Sequence, residues 1–231
     1  MLPPASLSGP LADPQHQRRH YARDVRRAVS TLTLLCCVLA CAPALAAGPL
    51  PTARLVTRGS EMPGFAGART SLNAYFSAFT WAHRGSGTWT ESEEEASSLR
   101  ALGFEQGVEE LFLGRWRESH GRHPEAASEA LVFATAASAQ SELRAFVADG
   151  LAKYARNGLR EFPGPAIPGS LELDAVQGGR RGSVGNVFFS TGRCLFVVGN
   201  FVYDAKSRAQ VVRAPVAGAL ALYRRNRRLC G

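Results

Sequence analysis

The stretch SVGNVFFSTGRCLFVVGNFVY, residues 183–203, decides the fold. It predicts two strands joined by a tight turn at Thr191, Gly192 and Arg193, because two runs rich in valine and phenylalanine flank a turn-forming glycine. Side chains alternate across a strand, and both faces of each run carry bulky apolar residues. Strands of this kind are normally central in a sheet. We therefore expect a helix, a second layer or a partner against each face of this hairpin.

A long helix is predicted before the hairpin, from Ser138 to Asn157. Apolar residues recur at helical spacing along it, and Gly158 follows as a stop signal. The residues that form this apolar face are Leu143, Phe146, Val147, Leu151 and Tyr154.

A second helix is predicted after the hairpin. Asp204 can cap it, it runs to Arg213, and Pro215 interrupts it before it resumes. Four arginines close the chain: Arg224, Arg225, Arg227 and Arg228. Cations near a helix C-terminus are favourable because they complement the helix dipole. The alternative is a surface that binds anionic lipid headgroups or wall polymers.

The remaining elements are predicted from periodicity and from turn and cap signals. Helices are expected at 71–83 and, after a capping box at Thr90–Glu93, through Leu102 to a stop at Gly103. Strands are expected at 107–117, 130–135 and 171–176, and the proline-rich segment 161–170 is expected to be an extended connector.

The order of these elements predicts an α+β fold in which an antiparallel sheet, built from hairpins, packs against helices. Strand, strand and helix occur in that order at 107–157 and again at 183–223, which favours two diverged ββα units over a parallel doubly wound sheet. The domain organisation that we expect is a leader at 1–24, disordered or untranslated, a signal peptide at 25–47, an extended surface segment at 48–70 and a single α+β domain at 71–231.

The signal peptide is predicted from an arginine pair, an uncharged apolar run and small residues at the two positions that a signal peptidase reads, Ala44 and Ala46. The apolar run is too short for a comfortable membrane span. Residues 38–41 also resemble a bacterial lipobox, in which Cys41 would become the lipidated N-terminus. The alternatives are therefore a secreted protein, one that a lipid holds at the membrane and one that an uncleaved signal anchors there, and all three place the domain outside the cytoplasm.

Cleavage near Ala46 or Ala47 would leave two cysteines, Cys194 and Cys230. An even number of cysteines in an oxidising compartment predicts one disulfide, which would tie the C-terminus to the hairpin. The alternative is a buried Cys194 and a free Cys230.

The formal net charge is +8, but five of the 27 basic and two of the 19 acidic residues precede the cleavage site, which leaves +5. Only Lys153 and Lys206 are lysines, so arginine supplies nearly all of the positive charge. We expect no nucleic-acid partner, because a positive charge made almost entirely of arginine more often reflects a GC-rich genome than a nucleic-acid surface.

Motifs of nucleophilic, nucleotide-binding and metalloprotease sites are absent from the sequence. We predict no cofactor and no catalytic residue. The one local cluster of metal-ligand types is His120 and His123, with Glu118 and Glu125 nearby. A loop between two strands commonly collects such residues, so we predict no metal site there.

The signal, the arginine-rich α+β domain, the turn MPGF at 62–65 and the helix after the hairpin together resemble exported proteins and lipoproteins of actinobacteria. Some of these are similar to the PsbP-like α/β fold. The resemblance is one of layout over 54–223, and it implies a non-catalytic envelope module without identifying site residues.

We therefore expect an exported, non-catalytic binding or interaction domain of the bacterial cell envelope, whose ligand or protein partner the sequence does not specify. The membrane would be contacted only through the signal or a lipid anchor. One alternative is a secreted hydrolase with a dispersed active site that uses His120 or His123. Another is a structural module that forms homodimers through the two-sided hairpin.

Overall fold

The computed structural model describes residues 49–84, 89–115, 117–118, 121–177 and 181–231. The predicted leader, the signal peptide, Cys41 and His120 lie outside these residues. The strands are β1 (Arg69–Tyr75), β2 (Phe104–Leu113), β3 (Glu125–Phe133), β4 (Arg160–Pro163), β5 (Leu171–Ala175), β6 (Ser183–Thr191) and β7 (Cys194–Val202). The helices are α1 (Ala78–His83), α2 (Trp89–Ala101), α3 (Ala136–Tyr154) and α4 (Arg208–Asn226).

The seven strands form one antiparallel sheet in the order β1-β2-β3-β7-β6-β5-β4. The predicted α+β class and the antiparallel sheet are confirmed. The hairpin β6-β7 lies inside the sheet, with Phe189 paired across from Phe196, and β3 continues the sheet on the far side of β7.

Both faces of the hairpin are covered, as its two-sided apolar pattern predicts. Phe189, Phe196 and Val198 lie on the face that packs against α4 and the N-terminal segment 50–68, which we call the α4 face. Phe188 and Leu195 lie on the opposite face, which packs against α1, α2 and α3 and which we call the α3 face. The hydrophobic core therefore has two layers, one on each side of the sheet.

The two predicted strand-strand-helix units are present as β2-β3-α3 and β6-β7-α4. Their helices nevertheless pack on opposite faces of the sheet. The recurrence is thus one of element order and does not extend to the position of the helix.

The prediction of a helix at 71–83 is wrong over its first half, because β1 occupies 69–75 and only Ala78–His83 is helical. Tyr75 pairs across from Gly107 in the ladder, and its ring contacts Trp81 edge-on with the ring centroids 5.5 Å apart. An isolated helix of this length is marginal in water, whereas pairing with β2 satisfies the backbone of β1.

Further boundaries differ from the predictions. Strand β2 lies at Phe104–Leu113 and not at 107–117, and β3 begins at Glu125 and not at 130. Helix α2 begins at Trp89, so Thr90 lies in its first turn and is not its cap.

Helix α4 begins at Arg208, after Ser207, so Asp204 is not its cap, and the helix runs through Pro215 without interruption. Pro215 is buried, and the packing of α4 in the core through Ala214, Ala219 and Leu222 offsets a cost of about 3 kcal/mol for an interior proline.

Residues 48–70 were expected to run over the surface, but their apolar side chains enter the core. Leu55, Val56 and Met62 are each 0–1% exposed and pack on the α4 face. The predicted turn at 62–65 is confirmed, because the amide of Phe65 donates to the carbonyl of Met62 at 2.9 Å. The expected connector at 161–170 also differs, since its first residues pair with β5 as strand β4.

Candidate functional site

The C-terminal end of α4 and the residues after it form an open groove of about 430 Å³ on the protein surface. The groove is lined by Arg54, Arg224, Arg225, Arg227, Arg228 and Leu229. We call it the arginine groove. Five of these six lining residues are arginines, and none of the six is acidic.

A disulfide between Cys194 and Cys230 fixes one side of the arginine groove. Cys194 is the first residue of β7, and the two Cα atoms are 5.6 Å apart. The backbone amide of Arg193 also donates to the carbonyl of Cys230 at 2.8 Å. The predicted disulfide is thus confirmed, and it anchors the arginine-bearing chain end to the turn of the central hairpin.

The N-terminal segment holds the other side of the groove through Asn226 and Arg225. The side-chain amide of Asn226 donates to the carbonyl of Arg54 at 2.6 Å. The Arg225 guanidinium forms an ion pair with Glu61 and donates to the carbonyl of Val56 at 2.5 Å. Arg225 is therefore a structural contact between α4 and the segment that precedes β1.

The other four arginines differ from Arg225 in being exposed. Within the part of the chain that the structure describes, no hydrogen bond or ion pair is formed by the side chains of Arg54, Arg224, Arg227 and Arg228. Their guanidinium groups can each present planar, bidentate donors to a phosphate or a carboxylate.

The helix dipole explains part of this cluster but not all of it. One or two cations in the last turn of α4 complement the partial negative charge there. Arg54 belongs to a different segment, and Arg227 and Arg228 follow the helix. The four exposed cations around one concavity repel one another, and an anion bound between them would relieve that repulsion.

The predicted histidine cluster is only partly within the described residues. His123 is half-buried, and its Nδ1 lies 2.8 Å from the carbonyl oxygen of Gly114, so this nitrogen donates to the backbone. His83 lies on α1, where its Nδ1 is 3.1 Å from the hydroxyl of Ser92 on α2. Among the described residues, no group of three or more His, Cys, Asp or Glu side chains could hold a metal ion.

The polar residues beside His123 contact the residue that follows β7. A carboxylate oxygen of Glu118 accepts from the amide of Tyr203 at 2.6 Å, and the Arg122 guanidinium lies 5.2 Å from the centre of the Tyr203 ring. Burial raises the pKa of Glu118, and the hydrogen bond from Tyr203 opposes that shift. These contacts join the β2-β3 connection to the central hairpin, which gives the connection a structural role.

A second charged group, which the sequence did not single out, lies at the start of α4. Glu172 and Asp174 are 3% and 4% exposed and lie on the α4 face of β5. Arg208 binds both carboxylates, through Nε to Asp174 at 2.8 Å and through Nη2 to Glu172. The guanidinium carbon of Arg208 lies 4.0 Å from the centre of the Phe162 ring.

Burial and the hydrogen bond with Asp174 raise the pKa of Glu172 to about 7. The two acids and Arg208 can therefore hold a proton near neutral pH. Both carboxylates are nevertheless inaccessible to a substrate because they are buried beneath Arg208. The alternation in Leu171-Glu172-Leu173-Asp174 indicates that both acids share one face of a strand, but nothing in the sequence places Arg208 against them.

Among the described residues, no helix is both long enough and apolar enough to cross a membrane. The predicted lipidation at Cys41 lies outside these residues and stays a prediction.

No protein-family model and no curated protein matches the chain. Among solved structures, the chain is similar to the extracellular domain of PknH from Mycobacterium tuberculosis, with 11% sequence identity and a TM-score of 0.47. The match covers 78% of this chain and 98% of that one. What this chain binds must therefore be inferred from its own surface.

Proposed function

We propose that the chain is an exported, non-catalytic binding domain of the bacterial cell envelope, and that it binds a polyanion in the arginine groove. The observation that carries this proposal is the convergence of five arginines on one concavity, four of them exposed and without a side-chain partner in the described part of the chain. The signal sequence predicted at 25–47 supports export. The disulfide between Cys194 and Cys230 supports it too, because such bonds persist in oxidising compartments.

Several anionic groups on one ligand suit the arginine groove better than a single ion. The arginines come from two separate segments, one around Arg54 and one at 224–228. Each exposed guanidinium can donate hydrogen bonds to its own phosphate or carboxylate partner. A polymer or oligomer that carries such groups in succession would engage both segments together.

A polyanion fits the surroundings of the groove better than a membrane surface does. Domains that bind a bilayer through basic residues commonly insert apolar side chains beside them. In the described part of the chain the exposed large apolar side chains are Leu72, Phe76, Trp89, Leu113 and Val176. None of these lines the arginine groove.

Binding can be tested with the full chain and fluorescently labelled polyphosphate, measured by anisotropy over a range of salt concentrations. We expect saturable binding that weakens as salt rises. The double variant R224Q/R228Q removes two exposed arginines from the groove and should weaken binding roughly tenfold or more, because each charge-assisted hydrogen bond is worth about 1.5–3 kcal/mol.

The matched control is R144Q/R213Q, which removes the same charge from exposed positions on α3 and α4 outside the groove. This control should bind as the wild type does. Equal losses in both double variants would show that binding follows net charge alone and would contradict a site in the groove. Binding to phosphatidylglycerol vesicles without binding to polyphosphate would favour a membrane surface instead.

A further inference from the structure

The two edges of the sheet differ in how they are protected from pairing with another strand. Strand β4 has four residues, carries Arg160 and Glu161 and ends at Pro163. Strand β1 has seven residues, contains no proline and carries one charge, Arg69, at its start. Short length, charge and proline are the usual means of blocking an edge. Strand β4 has all three, whereas β1 has almost none.

The outer edge of β1 is unpaired within the described residues, because β1 is the last strand of the sheet on that side. Its first four residues are exposed. Leu72, Ala74 and the adjoining Phe76 share one face by strand alternation, and Leu72 and Phe76 are 45% and 63% exposed. A row of apolar side chains therefore runs along β1, beside backbone N–H and C=O groups that have no partner strand among the described residues.

We propose that β1 pairs with β1 of a second copy of this chain, antiparallel, about a two-fold axis at Leu72. Such a contact would continue the antiparallel sheet from one protomer into the other. This inference is independent of the arginine groove, whose residues lie elsewhere.

The sequence of β1 is complementary to itself in this register. Symmetry places each residue across from a partner in the other copy: Leu72 across from Leu72, Ser71 from Asn73, Thr70 from Ala74, and Arg69 from Tyr75. The one charge of the strand therefore faces an aromatic ring and not its own copy, so no like charges meet across the axis. Apolar contact at the axis comes from the two exposed Leu72 side chains.

The second copy is favoured over an unrelated extended peptide by this self-complementarity. A two-fold contact uses one surface patch twice, so the patch must suit itself. The hairpin β6-β7 that the sequence suggested for dimerisation has both faces covered by the chain's own helices. The free edge of β1 is the alternative surface for such an interface.

The test is the mass of the full chain by sedimentation velocity and light scattering across a concentration series. We expect the wild type to reach twice the monomer mass. L72K places two lysines together at the axis and should shift the protein to monomer at the same concentrations. V176K is the matched control, because Val176 is 41% exposed and follows β5 near the other side of the sheet, and this variant should remain a dimer.

A second variant tests the register without relying on loss of association. L72C places two thiols directly opposite one another, so mild oxidation should link two chains covalently, whereas V176C should not link. A wild type that stays monomeric at every concentration would overturn the inference. A dimer that survives L72K and gives no L72C cross-link would overturn it as well, because the contact would then lie elsewhere.

Discussion

The carbonyl oxygen of Cys230 lies 1.9 Å from the point that a β-carbon on Gly192 would occupy. Gly192 is in the turn of the central hairpin, with a positive φ of 49°. The chain end that carries Arg227 and Arg228 therefore passes over this turn at a distance that only glycine allows. The turn of the central hairpin thus contacts the segment that forms the wall of the arginine groove.

Replacing Gly192 by alanine should destabilise the protein and weaken binding in the arginine groove. The side chain would meet the Cys230 carbonyl and would also adopt a left-handed backbone conformation, which alone costs about 1–2 kcal/mol. G158A is the matched control, because Gly158 also has positive φ but a β-carbon there would meet nothing within 4 Å. Thermal unfolding should show a larger loss for G192A than for G158A, and equal losses would contradict the close contact.

Reduction of the Cys194–Cys230 disulfide should lower the free energy of unfolding by about 3–4 kcal/mol, since the bond closes a loop with a sequence separation of 36. Polyphosphate binding should also weaken, because Arg227 and Arg228 lose their anchor. Urea unfolding with and without a reductant measures the first effect, and anisotropy measures the second. Unchanged binding by the reduced, folded protein would show that the disulfide does not position these arginines.

The stability of the protein should fall as pH rises through the interval between about 4.5 and 7. The pKa of Glu172 is raised in the folded state to about 7 from an ordinary value of 4.5, so the folded state binds more protons than the unfolded state across this interval. Chemical unfolding at pH values across this interval and just beyond both of its ends measures the slope.

The variant E172Q should flatten this pH dependence, because glutamine cannot titrate. E94Q is the matched control, since Glu94 is exposed on α2, and it should keep the wild-type slope. A slope that E172Q leaves unchanged would assign the pH dependence to other groups.

Replacing Gly107 by alanine should lower the free energy of unfolding by about 1–3 kcal/mol, because the added methyl group overpacks the core. The Trp81 ring is fully buried, and its Cε3 lies 2.1 Å from the β-carbon that G107A would add. G150A provides the comparison, because its β-carbon would lie 3.2 Å from a flexible leucine terminus, Leu173 Cδ1, and alanine favours the helix. In urea, G107A should have a much lower free energy of unfolding than G150A. Similar stabilities would contradict the packing of Trp81 on β2.

Local patterns were sufficient for the elements whose environment is uniform along their length. The hairpin at 183–203 carries apolar bulk on both faces, which requires a central, doubly covered position, and that is where β6 and β7 lie. The helix at α3 follows from its periodicity and from a glycine stop at Gly158, which has φ 83°. The pairing of Cys194 with Cys230 follows from their being the two cysteines left after the predicted cleavage.

Patterns were insufficient where a distant partner decides the structure. Residues 71–75 have helix-like spacing, yet the backbone of β2 draws them into the sheet. Pro215 signals a break that the packing of α4 overrides. In both places the tertiary contact is worth more than the local preference, and it cannot be read from neighbouring residues.

The sequence by itself determined an α+β domain with a central apolar hairpin, a disulfide from that hairpin to the chain end and a terminal run of arginines. Only the tertiary structure brought Arg54 to that run, placed Arg208 over Glu172 and Asp174, and set β1 at the edge of the sheet that the described residues form. The physical reason is range. Periodicity and caps reflect interactions over a few residues. These sites join segments that are far apart in the chain and meet only when the protein folds.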